Sequence, residues 1–312
     1  MSTLSQRWRS RACAAAATLA VAAALAPALD ARAQTGGGAR ARALVPRGAF
    51  LVSDRRGRLR VLDRAGRLVR RLPHAHAPGV PQALELAPDR RHAFVSVYVP
   101  GRPTRLYEVD LATGAKERIG DALSPVLSPD RSRLAYVASA LRPPGDIIDR
   151  TALVVSDLRT GSSKAIAFDS GVPRGTGPDL VINWSPDGKT IAVFDGSTIR
   201  LVDVAAATTL SSQPSLPGYT PVLGRTPPAA PAFLNASTLV VLVNCCIGRQ
   251  QLVAVDLRSG SRRAFATLTA PPESLRRLST GRLLAVTAQN ELAVVSHGRT
   301  RVIAKGILAA VG

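Results

Sequence analysis

Glu85 and Asn183 stand out first for their chemistry, because each precedes a Pro-Asp pair by three positions. Carboxylate and amide oxygens are ligands that Ca²⁺ prefers, but a calcium site needs about six to eight such oxygens. Arg276 stands at the matching point of a later segment and would bring positive charge to a shared site. We therefore treat Glu85, Asn183 and Arg276 as candidates to line one channel. We assign no catalytic residue and expect no metal or other cofactor.

Two further sets resemble sites but have simpler explanations. His74 and His76 have a spacing that puts both rings on one side of an extended segment, yet the chain has only four histidines, and we expect no metal site there. Aspartates also recur after apolar runs, at Asp63, Asp110, Asp157, Asp203 and Asp256. Turn aspartates accept hydrogen bonds from nearby backbone N–H groups, and we expect these five to do so.

Cys245 and Cys246 are adjacent in the sequence. Neighbouring Cα atoms lie ~3.8 Å apart, whereas a relaxed disulfide places them roughly 4.4–6.8 Å apart. A vicinal disulfide would therefore distort the backbone. Two free neighbouring thiols are in turn unusual in an oxidising compartment, so both states remain open.

The N-terminal segment has the features of an export signal. Basic residues precede an apolar stretch at 12–29, and Ala31-Arg32-Ala33 gives the small-x-small pattern that signal peptidase reads. We predict a signal peptide over 1–33 cleaved after Ala33, with an uncleaved anchor as the alternative, and a flexible linker over 34–44. No later stretch approaches the ~20 apolar residues of a membrane span. The mature protein is therefore expected in the periplasm or outside a bacterial cell, without a membrane span.

A turn followed by a strand-like run recurs along the remaining chain. It is clearest at 185–193 (SPDGKTIAV), 128–136 (SPDRSRLAY) and 87–94 (APDRRHAF). A second apolar run then ends at each recurring aspartate, and these aspartates are 47, 47, 46 and 53 residues apart. Weaker copies extend the pattern to six units.

Each unit predicts four antiparallel strands, a to d. Pro presets φ, Asp binds nearby backbone and Gly permits positive φ, while the short β-branched and aliphatic runs favour strands. Such a sheet must stack on its neighbours, and a radial stack is a β-propeller. We predict an all-β fold, a six-bladed β-propeller of four-stranded antiparallel blades, with seven as the alternative count. The predicted propeller spans 45–312, with blades at about 45–73, 82–120, 122–169, 179–211, 230–268 and 274–306.

The Ser-Pro-Asp-Gly-x-x-Ile-Ala-Val pattern of Ser185–Val193 resembles the WD-like repeat of TolB-type six-bladed propellers. Ser128–Tyr136 matches it well and Ala87–Phe94 recognisably. The resemblance implies a scaffold that binds a partner in the periplasm. Some six-bladed propellers are metal-dependent lactonases, and a hydrolase of that type is the alternative function.

The b–c and d–a connections are predicted to be long, as at 73–82 and 170–179, and long loops on a rigid scaffold are where binding is usually built. The ligand face formed by these loops has seven candidate arginines: Arg102, Arg105, Arg142, Arg150, Arg174, Arg225 and Arg249. The formal net charge of +20 attracts anions. We therefore predict a monomeric binding or scaffold protein for a cell-envelope protein or an anionic envelope polymer. Nucleic acid is not expected, because aromatic residues that stack on bases are scarce.

Overall fold

The structure is a computed structural model that describes residues 43–98, 104–140, 150–168, 181–194, 198–214, 231–244, 250–278 and 281–312. Within these ranges the regular elements are all β-strands. The first ten are β1 (Phe50–Asp54), β2 (Arg58–Leu62), β3 (Leu68–His76), β4 (Val80–Leu86), β5 (His92–Tyr98), β6 (Arg105–Asp110), β7 (Lys116–Leu127), β8 (Arg133–Ala140), β9 (Arg150–Asp157) and β10 (Ser163–Phe168).

The remaining strands continue the same up-and-down course. They are β11 (Val181–Trp184), β12 (Thr190–Phe194), β13 (Thr198–Asp203), β14 (Thr208–Pro214), β15 (Ala232–Asn235), β16 (Thr238–Asn244), β17 (Gln250–Asp256), β18 (Arg262–Leu268), β19 (Pro272–Arg277), β20 (Leu283–Thr287), β21 (Glu291–Ser296), β22 (Arg299–Lys305) and β23 (Ile307–Val311). This architecture confirms the predicted all-β fold.

The strands form antiparallel sheets that follow one another along the chain. Four strands in the order β23-β1-β2-β3 make the first sheet, and β4 to β10 make a continuous seven-stranded sheet. Three four-stranded sheets follow, β11–β14, β15–β18 and β19–β22. The predicted count of six blades corresponds to dividing the seven-stranded sheet within β7, and the blade number stays a prediction.

The innermost strands lie against each other in sequence order. β23 contacts β4, β4 contacts β7, β7 contacts β11, β11 contacts β15, and β15 contacts β19. β20, which pairs with β19, contacts β23 and completes the circuit. This circular contact pattern is the one expected when sheets that cannot bury both faces alone stack radially.

The innermost strand of the first sheet comes from the far end of the sequence. β23 pairs with β1 through Leu51–Val311, Val52–Ala310 and Ser53–Ala309. The last predicted blade ends at residue 306, and the repeat pattern assigns no strand to 307–312. The segment carries no Pro-Asp turn, so the repeat pattern could not assign it.

Apolar side chains fill the spaces between neighbouring sheets. Leu51 and Leu59 of the first sheet cluster with Leu84 and Val95 of the next, and all four are buried. Trp184 lies in another such cluster, as expected of a core residue, and its Nε1 donates to the carbonyl oxygen of Val126 at 3.0 Å. These sheet faces are therefore buried by their neighbours.

Side chains within the Ser-Pro-Asp turn hold its shape. Ser128 Oγ donates to Asp130 Oδ1 at 2.5 Å and accepts a hydrogen bond from Arg133 N at 3.0 Å. Ser185 makes the same two bonds in the equivalent turn, at 2.6 and 2.9 Å. One hydroxyl thus positions the aspartate and satisfies the first N–H of the next strand, which explains why this motif recurs.

The aspartates at the second turn act as the sequence predicts. Asp110 Oδ1 accepts hydrogen bonds from the backbone N–H groups of Ala112 and Thr113 at 2.7 and 2.9 Å. Backbone bonds of this kind are also made by Asp63, Asp157, Asp203 and Asp256. The expectation that these carboxylates bind turn backbone is therefore confirmed.

One predicted long loop is wrong. The connection at 73–82 was expected to be irregular, but β3 continues to His76 and β4 begins at Val80. Its prolines suggested a loop. Pro73 is nevertheless accommodated in β3, which is the edge strand of its sheet, where a missing N–H breaks no ladder bond.

Candidate functional site

Arg276 reaches across the ring from β19 to three other innermost strands. Its Nη1 lies 3.6 Å from Glu85 Oε1 in β4 and donates to Asn183 Oδ1 in β11 at 3.2 Å. Its Nη2 donates to the carbonyl oxygen of Pro125 in β7, also at 3.2 Å. The structure therefore brings the three channel candidates together around one guanidinium group.

Asn183 extends this network to the backbone of β19 and of the residue that precedes β15. Its Nδ2 donates to the carbonyl oxygens of Pro231 and Leu275 at 2.9 and 3.2 Å. The side chain is buried, with 6% of its surface exposed. The amide thus has both its oxygen and its nitrogen engaged, so it is held in one orientation as a cross-link between strands.

Glu85 is the carboxylate of this network. Burial raises the pKa of Glu85, although the positive charges of Arg276 and Arg131 and the backbone N–H groups of Leu86 and Leu127 act in the opposite direction. Burial lowers the pKa of Arg276, and Glu85 opposes that change. The pair is thus a desolvated salt bridge that is further supported by backbone hydrogen bonds.

This arrangement is suited to cross-linking the ring and poorly suited to holding a cation. A metal ion near Glu85 would meet the guanidinium of Arg276 at close range, and like charges repel strongly in a desolvated site. In the part of the chain that the structure describes, no group of three or more His, Cys, Asp or Glu side chains converges.

Most of the predicted ligand-face arginines fall outside the described residues, namely Arg102, Arg142, Arg174, Arg225 and Arg249. Arg150 is the first residue of β9. Arg105 is the first residue of β6 and lies opposite Asp121 of β7, and its Nε is buried without a hydrogen-bond partner among the described residues. The ligand face therefore stays a proposal.

The predictions for the N-terminal segment and for the two adjacent cysteines also fall outside the described residues. These are the signal segment with its cleavage point at Ala33 and the adjacent pair Cys245 and Cys246. Over the ranges that are described, no helix has the length and apolar character required to cross a bilayer.

A band of exposed arginines, which the sequence analysis missed, runs over three neighbouring outer strands. We call it the arginine band, and it consists of Arg70 and Arg71 on β3, Arg299 and Arg301 on β22, and Arg262 and Arg263 on β18. Thr300 Oγ1 of β22 donates to Thr267 O of β18 at 3.0 Å. Arg301 Nη2 of β22 donates to the carbonyl oxygen of Arg64, in the turn that precedes β3, at 3.2 Å. Among the described residues, none of the six forms a salt bridge. The signal in the sequence that could have revealed this band is the presence of basic residues on the last predicted strand of these repeats.

No protein-family model matches the chain, and no curated protein shows significant sequence similarity to it. Solved structures do match. A TolB candidate from Agrobacterium tumefaciens has a TM-score of 0.53 at 14% identity, with 84% of this chain and 92% of that one covered. The fold is a TolB-like β-propeller.

Two further solved structures are similar to this chain. A 6-phosphogluconolactonase candidate from Bacteroides uniformis has a TM-score of 0.53 at 12% identity, covering 84% of this chain and 98% of that one. TolB from Acinetobacter baumannii has a TM-score of 0.49 at 16% identity, and the match covers 81% of this TolB-like chain and 64% of that protein. At these identities the likeness concerns the fold, which fits both a binding scaffold and an enzyme.

Proposed function

We propose that the protein is an exported binding or scaffold propeller whose partner is an anionic component of the cell envelope. The observation that carries this proposal is the arginine band, because it places six exposed arginines on three outer strands, without salt-bridge partners among the described residues. Guanidinium groups bind carboxylate and phosphate oxygens in bidentate fashion. Leu68, Val69 and Val302 are exposed on the same strands, so the partner also meets apolar surface.

The ligand face of b–c and d–a loops belongs to the same proposal as a second contact region, since its seven arginines add to the positive charge of the chain. The TolB-like structures support this class of function, and the periplasm or the cell exterior is the compartment where such a partner is met. Export predicts that the mature protein begins at Gln34, which N-terminal sequencing of secreted material would test.

Retention on purified lipopolysaccharide tests the anionic partner, with an uncharged glucan as the reference surface. A triple variant of the arginine band, Arg70→Gln, Arg262→Gln and Arg299→Gln, should lose at least tenfold in affinity at 0.15 M salt. The matched control changes three exposed arginines elsewhere, Arg55→Gln, Arg159→Gln and Arg258→Gln, and removes the same charge.

If the control variant is retained on lipopolysaccharide and the band variant is not, the result supports binding at the arginine band. Equal retention of both variants would contradict it, and the basic edge strands would then serve to prevent edge-to-edge pairing between copies. Equal loss would also contradict it, because it would show only the long-range effect of net charge.

A metal-dependent lactonase is the alternative class, and the Arg276 network gives it no support. The direct test is hydrolysis of glucono-lactone with and without Ca²⁺. A rate above the spontaneous one that disappears in Glu85→Gln would replace the binding proposal by an enzymatic one.

A further inference from the structure

Two arginines occupy a turn position that normally favours glycine. Arg90 and Arg131 have φ angles of 57° and 62° in consecutive Pro-Asp turns. The equivalent residue of the next such turn is a glycine, Gly188, with a φ of 68°. Each N–H makes the same hydrogen bond three residues back, to Ala87 O and Ser128 O. A left-handed backbone disfavours residues with a Cβ, and strained residues of this kind concentrate at functional sites.

The side chain of Arg90 is fixed in place by a neighbouring segment. Its Nε and Nη2 donate to the carbonyl oxygens of Val45 and Pro46, both at 2.6 Å. The N–H groups of Leu44 and Val45 in turn donate to Arg90 O at 3.1 and 3.3 Å. These four bonds fix the residues that precede Arg47 and hold Arg47 beside the Arg90 turn.

The positive charges of Arg47, Arg90 and Arg131 accumulate at one end of the ring. Arg90 and Arg131 stand four residues after the ends of β4 and β7, two innermost strands that contact each other, so their turns lie at the same end of the ring. Burial lowers the pKa of Arg90, and the positive charges of Arg131 and Arg47 lower it further. Arg131 is also in range of Glu85, so the cluster lies at the channel end where the Pro-Asp turns are.

The acidic residues of the same turns are engaged elsewhere. Asp89 Oδ2 is bonded to His92 Nδ1, and Asp130 accepts from the hydroxyls of Ser128 and Ser132. Among the described residues, neither forms a salt bridge with the three arginines. Glu85 is shared with Arg276. The acidic groups of these turns are therefore not available as salt-bridge partners for the three arginines, and the cluster keeps an excess of positive charge.

We propose that Arg47, Arg90 and Arg131 form a binding site for a phosphate-type oxyanion at this mouth of the channel. The site lies at the opposite ends of the strands from the predicted ligand face and is separate from the arginine band. Arg90 is pinned by backbone carbonyls and positions the group, while Arg47 and Arg131 make no side-chain hydrogen bonds among the described residues and supply free donors. Three guanidinium groups match an anion with several oxygens better than a single carboxylate.

Isothermal titration with inorganic phosphate at constant ionic strength, with chloride as the exchanged anion, tests the site. We expect the intact protein to bind phosphate, and Arg131→Gly to bind it at least tenfold more weakly. Because glycine suits φ near +60°, this variant should keep the parental Tm or exceed it, so that lost binding would not reflect lost folding. Arg131→Lys keeps the charge and should retain most of the affinity.

Arg258→Gln is the matched control, since it removes one exposed arginine from a different turn and should bind phosphate as the parent does.

Vesicles with and without phosphatidic acid distinguish a lipid phosphate from a soluble one. If the parent protein is retained on the acidic vesicles and Arg131→Gly is not, the site binds a lipid headgroup. If the parent protein gives titration heat with phosphate but is not retained on the vesicles, the site binds a soluble phosphate. Absence of both, or phosphate affinity unchanged in Arg131→Gly, overturns the proposal. Neither result bears on the arginine band, whose variants leave these three residues intact.

Discussion

Leu51 and Val311 lie directly opposite each other in the antiparallel pair between β1 and β23. Both side chains are buried, at 0% and 5% exposure. The first and last strands that the structure describes are thus joined within one sheet by backbone hydrogen bonds, and the ring does not depend on side-chain packing alone for its closure.

Removal of residues 306–312 should therefore open the ring. We expect the free energy of unfolding to fall by about 4 kcal/mol or more, since burying an Ile or Val side chain fully is worth about 1.5–3 kcal/mol, and both Ile307 and Val311 are lost. Urea unfolding followed by circular dichroism measures this. Lys305→Gln, which removes an exposed lysine from its pair with the partly buried Glu291, should cost much less. A truncated protein with an unchanged urea midpoint would show that β23 is dispensable.

Gly114 and Gly260 occupy the same position of two equivalent turns and provide a matched pair. Both have positive φ, +76° and +69°, but a Cβ at Gly114 would overlap the carbonyl oxygen of His74, whereas nothing lies within 4 Å of one at Gly260. Gly260→Ala should cost about 1 kcal/mol from the left-handed backbone alone. Gly114→Ala must in addition displace β3 and should cost at least twice as much. Equal urea midpoints for the two variants would mean that this turn does not pack closely on β3.

Arg276 and Glu85 should be strongly coupled. Arg276→Met leaves a buried carboxylate without its charged partner and should cost about 3–5 kcal/mol at pH 7. The added change Glu85→Gln removes the unpaired charge and should restore a large part of this loss. A double variant that is no more stable than Arg276→Met would argue against the coupling.

The same pair predicts a pH dependence. Because the pKa of Glu85 is raised in the folded protein, stability falls as pH rises from the ordinary glutamate range through the raised value. The fall should be steeper in Arg276→Met. Variants that carry Glu85→Gln should not show it, because they lack the titrating carboxyl group. Urea unfolding between pH 4 and pH 8 measures the slope.

Ser128 should protect the fold against acid. Its hydrogen bond is the largest of the effects that lower the pKa of Asp130 to about 2, so the stability from this aspartate is complete above its ordinary pKa and is lost as pH falls towards 2. Ser128→Ala should raise the pKa of Asp130 towards 3.8 and cost about 1 kcal/mol at pH 7. An NMR titration of the carboxyl and an acid-unfolding curve measure both. Ser132→Ala, which removes a second and exposed hydroxyl contact, should shift the pKa less.

The repeats allowed much of this fold to be predicted because their chemistry is local. A Ser-Pro-Asp turn, an aspartate that binds its own turn and an apolar run between them depend on residues near in sequence. The register of the innermost strands also follows from the repeats, which is why Glu85, Asn183 and Arg276 could be grouped before their contacts were known.

The features that sequence analysis missed depend on neighbours in space. β23 belongs to the first sheet only because the ring returns to β1, and no local motif marks that pairing. The cluster of Arg47, Arg90 and Arg131 arises from two turns of the seven-stranded sheet that are far apart in sequence and from a segment that packs beside them. The connection at 73–82 was assigned from its prolines, although an edge strand tolerates them.

β7 is a single strand of 12 residues that serves two sets of neighbours. Its first part pairs with β6 and its second part with β8, with a register shift between Leu123 and Val126. One hydrogen-bonded ladder therefore runs from β4 to β10 without an intervening loop at this junction. Such a continuous unit is expected to open as a whole, so amide protons from β4 to β10 should exchange with solvent together, as one cooperative foldon.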